Sequence, residues 1–165
     1  MEDESERLMK GLSCINYIRS SADSLIDLIL KGLSIITFDE DDDNEDWGHS
    51  LSAAVCLQKL ALLLKNDVLA KVVDFASKMT AEQDWKCNYA GLIALGCVAE
   101  GPDKNNFLGM VQQALEMFLK MFKNSHSKVR EAISWVIARI CEHHAEVFNV
   151  PNVASAFIPQ LIESI

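Results

Sequence analysis

Apolar residues recur at every third or fourth position along nearly the whole chain. The clearest stripe is Phe107, Met110, Val111, Ala114, Phe118, Met121 and Phe122. Spacing of that kind gathers the side chains on one face of an α-helix, whereas a half-buried strand needs strict alternation. Such alternation is absent at any useful length. Gly and Pro number only 7 and 3 in 165 residues, too few for the turns of a sandwich or barrel. The expected fold class is all-α, and half of the residues are hydrophobic, enough for a real core.

The punctuation predicts short, regular helices at about 23–37, 50–65, 67–79, 85–99, 106–122, 128–145 and 152–164. Asp23, Ser50, Asn66, Asp84 and Ser127 are the expected N-caps, since each carries a side-chain oxygen that can accept from a free helical N–H. Gly101-Pro102 ends the fourth helix, Pro151 suits the start of the last, and Pro159 should kink it. Glu6 to Arg19 has room for a short helix, and Met1 to Ser5 are expected to be disordered. Connections are short apart from Phe38 to Gly48, an acidic insertion between the first two helices.

Pairing the helices exposes a repeat. Ala53-Ala54, Ala90-Gly91 and Ala132-Ile133 stand at one place in three successive second helices, at offsets of 37 and 42 residues. Leu60, Cys97 and Arg139 follow seven positions later. A period near 40 with two helices per unit is the signature of HEAT repeats. Small residues there let neighbouring helices approach closely, and units of this kind stack because none can bury its own face. The expected architecture is an α-solenoid of about three helix pairs plus a terminal helix. Its parts are an N-terminal flexible or partly helical segment at 1–21, repeats at 22–65 (with the acidic loop 38–48), 66–101 and 102–147, and the first helix of a further repeat at 148–165. The apolar ending Leu161-Ile162-Glu163-Ser164-Ile165 lacks the polar cap that closes a solenoid, which reads as a piece of a longer protein.

Charge narrows the function. The net charge is −9, and Asp39, Glu40, Asp41, Asp42, Asp43, Glu45 and Asp46 put seven acids into eight residues. Of 24 acids, the remaining 17 nearly cancel the 15 bases. Nucleic acid needs a basic face, so it is an improbable partner, and a basic protein is the natural one. No apolar run approaches the roughly 18 residues of a membrane span. The polar start Met1 to Lys10 is not a signal peptide. Cysteines at 14, 56, 87, 97 and 141 form no Cys-x-x-Cys pair and read as reduced thiols of an intracellular protein. Asp39, Asp41 and Asp43 imitate a calcium loop, but Asn44 and Ser50 stand where Gly and Glu are required. Cys141, His143 and His144 lack a fourth zinc ligand. No phosphate-binding Gly loop or nucleophile-base motif is present, so no catalytic residue, cofactor or metal is assigned.

Several motifs in order resemble one family. These are Asp41-Asp42-Asp43-Asn44-Glu45-Asp46-Trp47, then Ser52-Ala53-Ala54-Val55-Cys56-Leu57, Gln83-Asp84-Trp85, Ala94-Leu95-Gly96-Cys97-Val98-Ala99-Glu100-Gly101-Pro102, and finally Val129-Arg130-Glu131, Ser134-Trp135 and Ala138-Arg139-Ile140-Cys141-Glu142. Over about residues 22–165 the chain is similar to the central HEAT repeats of the importin-beta (karyopherin-beta) family. The resemblance implies a nuclear transport receptor, shuttling between cytoplasm and nucleus. It implies second helices and an acidic loop that bind the basic segment of importin alpha and GTP-bound Ran, with nucleoporins as partners of the full-length protein. It implies that Trp47 and Trp135 belong to an array of indoles and acids packing on Arg and Lys stems, with Glu131 as the acid before the second Trp. Asn88-Tyr89 stands where the family usually has Arg-Asp, which removes one acidic contact.

The chemistry is consistent with that assignment and leaves alternatives open. Carboxylates at Asp39 to Asp46 attract a basic segment at long range, with an effect that salt weakens. An indole covering an Arg or Lys stem adds about 0.5–2 kcal/mol. Glu131 and Trp135 are four apart, so one helical face presents an acid beside a ring. Trp47 could instead fold onto its own repeat, and Trp135 could be inter-repeat core, given Ile133, Val136, Ile137 and Ile140 around it. Trp85 is expected to pack at a helix start. Glu100 and Glu142 are partner contacts or polar helix ends. The other function classes are a scaffold of another HEAT family (a phosphatase scaffold or vesicle-coat subunit) and a helical DNA glycosylase, which would need a basic groove.

Overall fold

The computed structural model describes residue 11 and residues 15–36, 48–149 and 153–163. Among these, α-helices are α1 (Ala22–Leu33), α2 (His49–Leu64), α3 (Leu69–Ala81), α4 (Trp85–Cys97), α5 (Lys104–Phe122), α6 (Ser127–His144) and α7 (Val153–Glu163). Short 3-10 turns at Lys65–Val68 and Ala145–Asn149 join α2 to α3 and lead out of α6. Residues 15–20 are also helical and lead through a turn at Ser21 into α1. The described fold is an all-α solenoid.

Three antiparallel pairs follow the chain: α1 with α2, α3 with α4, and α5 with α6. The second members also pack on one another, α2 on α4 and α4 on α6, so they form one continuous layer. The first members make the opposite layer, with α1 against α3 and α5 against α7. The apolar stripe of α5 is the face that makes this possible. Phe107, Met110, Val111, Phe118, Met121 and Phe122 are buried, and Phe118 and Phe122 meet Phe157 of α7 at ring separations of 6.3 and 6.2 Å. Offset and edge-on aromatic pairs at such distances add to the gain from burial. Pro159 lies within α7, which continues as a helix past it.

Small residues set the pair spacing, as expected. Ala53, Ala54, Ala90, Gly91 and Ala132 are all buried. A Cβ at Gly91 would stand 3.1 Å from Met79 Cβ and 3.2 Å from the Ala76 carbonyl oxygen, so α3 and α4 cross almost backbone to backbone. Gly32 of α1 comes equally close to Ala53 of α2.

Capping departs from expectation at four of five positions. Asp84 does cap α4, its carboxylate accepting from Lys86 N–H at 2.9 Å. Asp23 lies in the first turn of α1, behind Ser21. Ser50 is inside α2, where its hydroxyl donates to the Leu33 carbonyl oxygen at 3.4 Å. His126 rather than Ser127 caps α6, its Nδ1 accepting from Lys128 N–H at 3.3 Å. Asn66 sits in a 3-10 turn and reaches the next inter-repeat turn. It accepts from Asp103 N–H at 2.9 Å and donates to the Asp103 carboxylate, which itself caps α5 by accepting from Asn106 N–H. Stacked turns thus satisfy each other's end groups, which local sequence alone does not reveal.

Candidate functional site

The α4–α6 contact is a parallel ladder. Glu131, Trp135 and Arg139 follow one another at four-residue intervals along α6, so they share a face. Opposite them on α4 stand Tyr89, Gly96 and, just past its end, Glu100. At the first rung, Tyr89 is half-buried. Its hydroxyl pKa is pushed up by burial and then by the Glu131 carboxylate. Glu131 is exposed and pairs with Lys128 at 3.3 Å.

At the second rung the indole of Trp135 fills the space beside Gly96. A Cβ on Gly96 would overlap the six-membered ring. Trp135 is half-buried and packs on the core, with its remaining surface in solvent on the second-helix layer. At the third rung the Arg139 guanidinium takes two acids. Nη1 donates to Glu142 at 2.8 Å, and Nη2 reaches Glu100 at 3.4 Å across the repeat boundary. Two of the three expected acids on this layer, Glu100 and Glu142, therefore share one cation, while Glu131 stands one helical turn before Trp135.

Around this ladder lie contacts that fix the register. Cys97, deep in the core, has its thiol pKa pushed up to about 12 by burial, with opposing contributions from Arg139 of α6 and a hydrogen bond from Gln58 of α2. His144 is buried at the end of α6, where Nε2 donates to the Ala99 carbonyl oxygen at 2.8 Å and its ring stacks on Phe107 at 4.3 Å. Trp85 stacks on His126 at 3.8 Å, with Lys86 Nζ 5.6 Å from its ring centroid, which places it at a helix start as expected.

Residues 85–140 match the HEAT-like repeat family. Importin subunit beta-1 of Saccharomyces cerevisiae is 32% identical over 138 residues, covering 81% of this chain and 16% of that protein. The chain belongs to the importin-beta family. Among solved structures, Kap95p in the work describing how its binding induces the switch loops of RanGDP to adopt the GTP-bound conformation superposes with a TM-score of 0.78 at 29% identity, covering 88% of this chain and 16% of that one. The Kap95:Nup1 complex gives 0.77 at 29% identity, with the same coverage. This karyopherin chain thus spans about a sixth of the length of its relatives.

Of the residues expected to bind a partner, Glu100, Glu131, Trp135 and Glu142 fall on or beside one face of this karyopherin chain. Asp39, Glu40, Asp41, Asp42, Asp43, Glu45, Asp46 and Trp47 lie outside the described residues. At the departure from the family pattern, Asn88 is buried and acts locally, its amide donating to the Glu82 and Asp84 carbonyl oxygens at 2.9 and 2.7 Å. Tyr89 takes the place beside Glu131. Sequence reasoning missed Arg139 as the hub of two acids. Its only sequence signal is the i, i+3 spacing to Glu142.

Proposed function

We propose that the chain is part of a nuclear transport receptor, a binding scaffold without catalytic activity, working between cytoplasm and nucleus. Its second-helix layer, together with Asp39 to Asp46 and Trp47, binds the basic importin-beta-binding segment of importin alpha and GTP-bound Ran. Nucleoporins bind the whole receptor. The working units are the repeats 22–65, 66–101 and 102–147, with 148–165 opening the next.

One observation carries this reading. The half-buried Trp135 indole stands one helical turn from the exposed Glu131 carboxylate and is seated against Gly96. A Lys or Arg stem laid on that ring brings its charge to Glu131, and the acids at Asp39 to Asp46 supply the long-range attraction. Net charge −9 and family membership support a basic protein partner over a nucleic acid. The scaffold alternative gains no particular support from the ladder, since it has no use for an indole beside an acid.

Titration of the 165-residue chain with a fluorescent peptide of the importin-alpha basic segment tests it. Binding should be weak and should weaken further with salt. Trp135→Ala, Trp47→Ala, and exchange of the seven acids for their amides should each reduce affinity about fivefold or more. Binding indifferent to all three changes would overturn the reading.

A further inference from the structure

We propose that Arg139 is a built-in competitor for the cationic side chains that bind the second-helix layer, an inference that rests on the functional reading above. The Glu142 and Glu100 carboxylates converge on Arg139 from one helical turn further along α6 and from the neighbouring repeat, at 2.8 and 3.4 Å. The arginine side chain is only 18% exposed, whereas Glu100 and Glu142 are 46% and 60% exposed. The cation is sunk beneath its acids, and the acids face outward. An arriving Arg or Lys therefore meets both carboxylates from the open side, with part of their charge already used.

Arg139 also stands four residues from Trp135, on the same face of α6, next to the ring on which an arriving stem would lie. Its Nε–H is buried with no hydrogen-bond partner among the described residues, so the guanidinium fork is not fully satisfied by its two acids. The cluster of two carboxylates and one guanidinium carries a net charge of about −1 where the acids alone would carry about −2. A basic partner sees the smaller value, which sets affinity low and favours ligands with several cations over those with one.

The experiment compares the whole chain with its Arg139→Gln, Arg139→Lys and Lys78→Gln variants. The probe is a helical peptide with arginines along one face, titrated by fluorescence anisotropy at low salt. Arg139→Gln should bind about fivefold tighter, and Arg139→Lys close to the parent chain. Lys78→Gln makes the same change in net charge on the opposite layer, where Lys78 pairs with Asp74, and should stay within about twofold. Glu142→Gln should weaken binding more in the Arg139→Gln background than alone, because the carboxylate is then fully available. If Arg139→Gln binds no tighter while Trp135→Ala still weakens binding, this inference fails and the functional reading stands. If no variant binds the peptide, both fail. A melting temperature for each variant separates lost folding from lost binding.

Discussion

The six-membered ring of Trp135 lies where a Cβ on Gly96 would have to stand, so two repeats are joined at a point that admits no side chain on one of them. Gly96 is buried in the middle of the second-helix layer, and neither helix can move away without opening the α4–α6 contact.

Replacing Gly96 with Ala should therefore destabilise the chain by about 1–3 kcal/mol, as overpacking does in a well-filled contact. The usual helix-propensity gain of Gly to Ala is too small to offset it. A Trp135→Leu exchange in the same chain should recover part of the loss. Urea unfolding of both single variants and the double one measures the coupling, and additive losses would show that the two residues do not share this space.

Asp103 caps α5 and receives the Asn66 amide from the preceding turn. The Asn66 hydrogen bond, followed by the Asn106 N–H, holds its carboxyl below the ordinary value of 3.8. A depressed folded-state value means stability that is present above the unfolded carboxyl value and is lost as the pH falls through the folded one. Asp103→Asn keeps a good cap but loses that charge. The parent chain should melt higher than Asp103→Asn at pH 7, and the difference should shrink as the pH falls below the ordinary carboxyl value of 3.8 and through the lower folded one.

Lys65, where α2 gives way to the 3-10 turn, has φ 53° and ψ −116°, a conformation that a residue with a Cβ adopts only under strain. Lys65→Gly should relieve that strain and, after the entropic cost of glycine, stabilise the chain by about 1 kcal/mol. A higher denaturation midpoint checks this. A lower one would mean that the lysine side chain contributes more than its backbone costs.

Cys97 keeps its proton in the folded state to about pH 12 against an ordinary value of 9.0, because its burial disfavours the thiolate. Above pH 9 the unfolded chain ionises this thiol and the folded chain does not, so stability should fall between pH 9 and 12. Cys97→Ala should flatten that fall. In thiol titration at pH 8, the exposed Cys56 and Cys141 should react in the folded chain, whereas Cys97 should react only on unfolding.

Much of this was legible in the sequence because it is local. The α5 stripe from Phe107 to Phe122 needs only helical period, and Asp84 caps α4 through a bond two residues long. The small pairs at Ala53-Ala54 and Ala90-Gly91 announce close crossings without saying which helix is crossed. Ser127 lost the cap to His126 because an imidazole nitrogen one position earlier also accepts an N–H, a competition the preference for hydroxyls does not register. For Trp135 the sequence allowed a core residue or a partner contact. The half-buried ring, backed by Gly96 and open on its other side, has the surface for both.

The sequence by itself determined an all-α chain, a period near 40 and the positions at which helices approach, since periodicity and side-chain size act over one or two turns. Only the tertiary structure decided that Trp135 meets Gly96, that Arg139 gathers Glu100 and Glu142, and that Asn66 completes the cap at Asp103. Those partners across the repeat boundary stand 37 to 39 residues apart, and their meeting depends on how far each pair of helices is shifted along the next. That shift is a property of many packed side chains at once, and no local pattern encodes it.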